Sequence, residues 1–211
     1  MSNLGKSIPR KDGCGVVNFS GTSNEQTNRS HYSNLVKLAR ENSVNLSGSA
    51  TILGSAAGYG AFYLRGYGFS GEIIGEERDP LSVDISKKTL AYFGYKEVID
   101  TFKQKGLFEA YQVVQNLENN GSPKRHLRGI EFSERDITFS EANPSKKDLI
   151  VCDFIHTPEF LGHNGALSLS LRLMDISKEG TLLSYRCGTE QDSLVKIGFQ
   201  EIVPSIFIRR K

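Results

Sequence analysis

The run ATILGSAAGYG at residues 50–60 joins a short apolar strand, Ala50–Leu53, to a turn in which every position from Gly54 to Gly58 is glycine, serine or alanine. Small residues between a strand and a helix let a backbone approach a ligand and aim the first helical N–H groups at it. Ala61–Arg65 continues as a helix, and the glycine-rich stretch Gly66–Gly71 ends it. Packing alone also selects glycine in such turns, so a ligand role for this one rests on a second feature, an acid further along the chain. A second strand, Glu72–Gly75, leads into Glu76-Glu77, some twenty residues beyond Gly54. That is the offset at which a carboxylate can accept hydrogen bonds from ribose hydroxyls. Pro80 then opens a helix through Val83, Ile85 and Leu90, since its missing N–H has no partner in a first turn.

The alternation continues along the chain. Apolar residues recur at helical spacing from Tyr95 to Glu118, predicting one or two helices, and Asn119-Asn120-Gly121-Ser122-Pro123 stops them. Strands are expected at Gly129–Phe132, at Asp148–Phe154, at Thr181–Tyr185, and at Gln200–Val203 and Ser205–Arg209. DLIVCDF is apolar throughout its centre, as a strand buried on both faces requires. A helix from Leu167 to Met174 closes near Gly180. Before the glycine turn, Ser30–Asn42 reads as a short amphipathic helix capped by Ser30. Met1–Arg29, rich in Ser, Asn, Gly and Lys, reads as an arm or lid outside the core. Strands alternating with helices define an α/β domain whose ligand site lies beyond the carboxyl ends of its strands.

Composition narrows the function classes. The 211 residues suit one domain with a modest surplus, and 38% apolar content supports a core. Twenty-six Lys and Arg against 24 Asp and Glu leave no overall field that would select a polyanion. Cys14, Cys152 and Cys187 are too scattered for a disulfide framework or a Cys-rich zinc site, so a reducing, cytoplasmic location is expected. No apolar run approaches the ~20 residues of a membrane span, and MSNLGKSIPRKDG lacks the core of a secretory signal.

GEIIGEERDPLSVDISKKTL resembles the second strand and following helix of class I S-adenosylmethionine-dependent methyltransferases, with Glu77 in the place of the family's acid. IEFSERDITFSE resembles the third strand and the turn whose acid meets the adenine amino group, here Asp136, and DLIVCDFIHTPEF resembles the fourth strand. TLLSY and IGFQEIVPSIFIRRK resemble the fifth strand and the terminal antiparallel hairpin that sets this family apart from nicotinamide-binding folds. The resemblance implies a Rossmann-like three-layer α/β sandwich with a mostly parallel seven-stranded sheet. It divides the chain into an N-terminal arm and lid helix, residues 1–45, and an S-adenosylmethionine-binding domain, residues 46–211. By the same resemblance, Gly54, Ser55, Ala56, Gly58, Glu77, Arg78, Asp136, Ile137 and Asp153 line the cofactor. Two positions depart from the pattern: Ile52 replaces an acid two residues before the first glycine, and Ala56 replaces the central glycine. Residues 91–128 form an insertion that can cover the site.

Methyl transfer from a sulfonium is an in-line displacement that needs orientation and, for an oxygen or nitrogen nucleophile, a proton acceptor. Asp153 and His156, at the end of the fourth strand, are the expected catalytic pair. An imidazole titrates near neutrality, although a histidine at a helix start with no chemical role is the plainer reading, as a helix cap is for Asp153. Asp153, His156, Glu159 and His163 carry metal-ligating atoms but match no zinc spacing, and no metal is expected. Arg186 either holds an anionic substrate or sits in a surface ion pair, and His31 and Tyr32 either close over the pocket or, for Tyr32, pack in the core. Lys124-Arg125-His126 and Arg128 form a basic run without neighbouring aromatics, so a small-molecule substrate is favoured over nucleic acid. Transfer of an aminopropyl or aminocarboxypropyl group from the same cofactor, and a non-catalytic binding partner, are the competing readings.

Overall fold

Period-two alternation of apolar side chains decides how the strands of this chain divide its core. In the computed structural model, which describes residues 7–9, 16–19, 25–138, 144–153, 162–186 and 191–210, β6 (Lys147–Asp153) shows it best. Its Leu149 and Val151 enter one apolar cluster, and Ile150 and Cys152 enter another on the opposite face. All four are fully buried, as the apolar run in the sequence demands.

Seven strands form one sheet in the order β5-β4-β3-β6-β7-β9-β8. β3 (Ser49–Leu53), β4 (Glu72–Glu77), β5 (Ile130–Glu134), β6 and β7 (Ser177–Arg186) are parallel, and β9 (Ile206–Arg209) runs antiparallel between β7 and β8 (Phe199–Val203). This is the Rossmann-like sandwich with a terminal hairpin that the sequence implies. The chain moves outward from β3 through β4 to β5, then returns to β6 on the other side of β3. The switch point between β3 and β6 opens the crevice in which such sheets bind ligands.

One face carries α1 (Glu25–Glu41), α2 (Tyr59–Tyr67), α3 (Pro80–Tyr92), α4 (Lys96–Lys105) and α5 (Leu107–Asn119). The other carries α6 (Gly162–Ile176) and the short α7 (Gln191–Lys196). α3 starts where Asp79 accepts from the Ser82 N–H at 3.1 Å with Pro80 in the first turn, a cap that contributes about 1 kcal/mol. None of the helices among the described residues is long and apolar enough to cross a membrane.

Several expectations change. α1 begins at Glu25, not after Ser30, because Glu25 and Arg29 pair one turn apart at 3.6 Å and Asn28 is buried there, which apolar periodicity does not register. The N-terminal segment is not wholly outside the core. β1 (Ser7–Pro9) pairs antiparallel with β2 (Val16–Asn18), and Phe19, 1% exposed, packs on Phe108 and Tyr111 of α5 with ring centroids 5.2 and 5.5 Å apart. β4 runs on to Glu77 and β5 to Glu134. α6 ends at Ile176 rather than near Gly180, since Ser177 already pairs with Lys147, and Gly180 sits at positive φ where the register shifts. The inserted stretch forms α4 and α5, a helical hairpin built into the helix layer, with Phe102 4.8 Å from Tyr63 and 5.4 Å from Phe93 between ring centroids.

Candidate functional site at the carboxyl edge of the sheet

The turn after β3 is tight because three of its residues take positive φ: Gly54 at 70°, Ala56 at 47° and Gly58 at 87°. Ser55 N–H donates to the Glu76 carbonyl at 2.9 Å and Gly58 N–H to the Ser55 carbonyl at 2.8 Å, folding the turn onto β4. Gly58 is required by packing. A Cβ there would lie 2.7 Å from the Phe132 ring and 2.9 Å from Ser86 Oγ, so core packing by itself demands a glycine at this position. Left-handed backbone strains Ala56 by roughly 1–2 kcal/mol. Its N–H donates to Glu77 Oε2 at 2.9 Å, a charge-assisted bond that offsets the strain.

Glu77 is therefore a bridge. Its other oxygen accepts from the Asp79 N–H at 2.9 Å, so one carboxylate ties the glycine turn to the start of α3. Each oxygen keeps a further lone pair for an outside donor. Arg78, next along, is exposed. Glu76 faces the other way, as alternation along a strand dictates. It is 5% exposed, pairs with buried Arg172 of α6, and has Arg135 3.7 Å away. Arg172 also donates to the Ile137 carbonyl at 2.7 Å.

Asp136 lies two residues past Glu134, which is in register with Glu77 on the neighbouring strand. It is exposed and accepts from Thr138 N–H at 2.9 Å and Thr138 Oγ1 at 2.7 Å. These two bonds hold its carboxyl below the usual aspartate range. Ile137 is 8% exposed beside it. Asp153 ends β6, one residue beyond the Cys152–Leu53 pair and thus beside Gly54, and its side chain lies outside the described residues. So do His156 and Glu159 altogether and the side chain of His163, which leaves the expected catalytic pair and the metal-like grouping undescribed.

The structure brings the turn residues, Glu77, Asp136 and the Asp153 backbone to one edge, where the parallel strands end. Ser55 is 3% exposed, and its Oγ has no partner among the described residues. Two carboxylates as acceptors and the N–H groups at the N-terminus of α2 as donors suit a ligand with a diol and an amino group. Over the same edge, α1 meets β7: His31 Nε2 is 2.8 Å from buried Ser184 Oγ, and Arg186 Nη1 is 3.5 Å from Asn28 Oδ1 with its guanidinium 5.8 Å over the Tyr32 ring. Tyr32 is 1% exposed and belongs to the core. Sequence reasoning missed Asn28, Ser184 and Arg172, because none sits in an apolar pattern. The basic run is exposed, and it does have a neighbouring aromatic, unlike the expectation from sequence: the fold brings Tyr95 beside it, with Arg125 4.4 Å over the ring in the inserted region.

No protein-family model matches the sequence, and no curated protein is significantly similar to it. Solved structures that it resembles include an S-adenosylmethionine-dependent methyltransferase from Clostridium acetobutylicum, at 12% identity and TM-score 0.47, over 74% of this chain and 48% of that one. PKMT2 from Rickettsia typhi in complex with AdoHcy is similar at 9% identity and TM-score 0.43, over 65% and 20%. The [4+2]-cyclase SpnF is similar at 14% identity and TM-score 0.48, over 81% and 58%. The chain thus spans less than two thirds of each of these proteins.

Proposed function

We propose that the chain binds S-adenosylmethionine at the carboxyl edge of β3, β4 and β5 and transfers its methyl group to an oxygen or nitrogen of a small molecule. The observation that carries this reading is the Glu77 carboxylate, fixed by the Ala56 and Asp79 N–H groups at the end of the strand beside the glycine turn. A carboxylate already oriented by two backbone donors loses little further entropy when a ribose diol donates to its remaining lone pairs. The turn from Gly54 to Gly58, with Ser55, holds the methionine end. Arg78, Asp136 and Ile137 hold the adenine, with Asp136 accepting from its amino group and Ile137 offering an apolar edge. Residues 46–211 form the cofactor domain, and α1, the lid helix within residues 1–45, reaches the same edge through His31 at Ser184.

The bound cofactor supplies an electrophilic methyl on a sulfonium. The chain's own contribution is orientation and proton acceptance, which falls to His156 with Asp153 beside the turn. The substrate is a small molecule, since the basic run lies in the inserted region and not at this edge. A non-catalytic binding role is favoured by one observation, the replacement of the loop acid by Ile52, which is 3% exposed and packed in the core.

Calorimetry with S-adenosylhomocysteine tests the reading. Glu77→Gln retains an acceptor for the turn but loses the charge, and is expected to weaken binding at least tenfold. Unchanged affinity would remove Glu77 from the site, and no binding by the unmodified chain would reject the reading. Product mass after incubation with the cofactor and candidate acceptors separates methyl transfer from aminopropyl or aminocarboxypropyl transfer and from binding without turnover.

A further inference from the structure

The outer side of the helix layer holds a second cleft, of about 370 Å³, between the carboxyl-terminal half of α2 and the inserted α4. Its open walls are Tyr67 on α2, Ile99 on α4 and Leu127, which are half-buried, and its floor is the buried rings of Phe62, Tyr63 and Phe102. α2 starts at the glycine turn and Tyr67 lies at its far end, about 13 Å along the axis, so this cleft is separate from the carboxyl edge.

Three cations line it, Arg29, Arg65 and Lys103, and no carboxylate does. Arg29 is compensated by Glu25, 3.6 Å away. Arg65 directs its terminal nitrogens to the carbonyls of Phe69, Gly71, Arg128 and Gly129, which brings no negative charge. Lys103 is exposed and forms no ion pair among the described residues. Two positive charges are therefore unbalanced beside an apolar wall. Tyr63 is 4% exposed and its hydroxyl has no partner among the described residues, an unusual state for a buried phenol.

We propose that this cleft binds a small aromatic carboxylate, its ring against Tyr67, Ile99 and Leu127 and its anion at Lys103. The volume falls within the usual range of small-ligand pockets, roughly 300–1,000 Å³, near its lower end, which suits one or two rings. The Tyr67 ring and the aliphatic Ile99 and Leu127 give an apolar seat without polar direction, and the excess cationic charge selects an anion over a neutral ring.

The probe is 2-naphthoate, titrated calorimetrically into the full chain, with 2-naphthalenemethanol as its neutral counterpart. Saturable one-to-one binding of the carboxylate is expected, about tenfold tighter than that of the alcohol. Lys103→Glu, at an exposed position, is expected to weaken naphthoate about tenfold or more while the melting temperature stays unchanged. Ile99→Trp, which fills the cleft, is expected to abolish binding. S-adenosylhomocysteine affinity is expected to be the same in both variants as in the parent, so failure here and failure of the carboxyl-edge site are separately visible. Absence of saturable naphthoate binding, equal binding of the alcohol, or naphthoate affinity unchanged in Lys103→Glu would each overturn the proposal.

Discussion

The two faces of the sheet are unequal. Five helices cover one, over an apolar cluster in which Phe62 stacks on Phe93 at 4.3 Å and lies 5.9 and 6.1 Å from Phe132 and Phe102. The other has a smaller cluster beneath α6 and α7, a buried Glu76–Arg172 pair at its margin, and α6 side chains Leu167 and Leu171 that are 62% and 46% exposed. A cleft of about 170 Å³, lined by Thr51, Ile74, Glu131 and Arg135 among others, opens beside that pair. The thick face has the larger apolar area, and the thin one adds to its smaller apolar cluster a charge pair that must be satisfied. Both faces meet the candidate site at the same edge, through Glu77 on one side and Asp136 with Ile137 on the other.

The contrast can be broken most severely from the thick side. Phe62→Ala removes a ring that is 1% exposed and in contact with three others, and should cost about 4 kcal/mol in urea unfolding. A loss under about 2 kcal/mol would mean that the aromatic cluster collapses around the gap. On the thin side, Arg172→Ala strands a buried carboxylate and should cost about 3 kcal/mol. Arg135, 3.7 Å from Glu76, limits the damage. Glu76→Gln with Arg172→Met should recover most of that loss, and a double variant as unstable as the single one would show that the charge pair is not what matters there.

Smaller changes sharpen the comparison at the edge where the faces join. Ala56→Gly relieves backbone at φ 47° and, after the entropic cost of glycine, should stabilise by about 0.5 kcal/mol, read as a small rise in melting temperature. A fall would mean that Ala56 is not strained. The mildest effect concerns acid. Because the Thr138 bonds depress the Asp136 carboxyl, their stabilisation is complete above the unfolded value of about 3.9 and is lost as pH falls through the lower folded value. Thr138→Ala should raise the Asp136 titration midpoint in a carboxyl-carbon NMR series, and an unmoved midpoint would place the cause elsewhere.

Strand and helix order was legible because β6 and the segments around β3 and β4 carry uninterrupted apolar patterns, and the glycine turn punctuates them. The acidic end of β4, Glu76-Glu77, was legible from its offset beyond Gly54, and the family resemblance picked Glu77. Its choice over Glu76 agrees with parity, since Ile73, Gly75 and Glu77 share one face of β4 and Glu76 points to α6. Asn28, Arg172 and Ser184 were not legible, because their partners lie across the fold at residues 186, 76 and 31. The helical hairpin of residues 96–119 was legible as helix but not as part of the helix layer, because nothing local tells Phe102 that it will meet Phe62 and Phe93.

Local chemistry settled most of what the chain does one segment at a time: the alternating elements, the tight turn, the Asp79 cap before Pro80 and the acid at the end of the second strand. Those features depend on backbone torsions and on side chains within a few residues of one another. Tertiary packing alone decided that Gly58 serves the Phe132 ring, that Glu77 is held by the turn it faces, and that the cations beside the aromatic cleft outnumber the acids. Such facts arise between segments far apart in sequence, where only the closed fold sets the distances on which contact and charge depend.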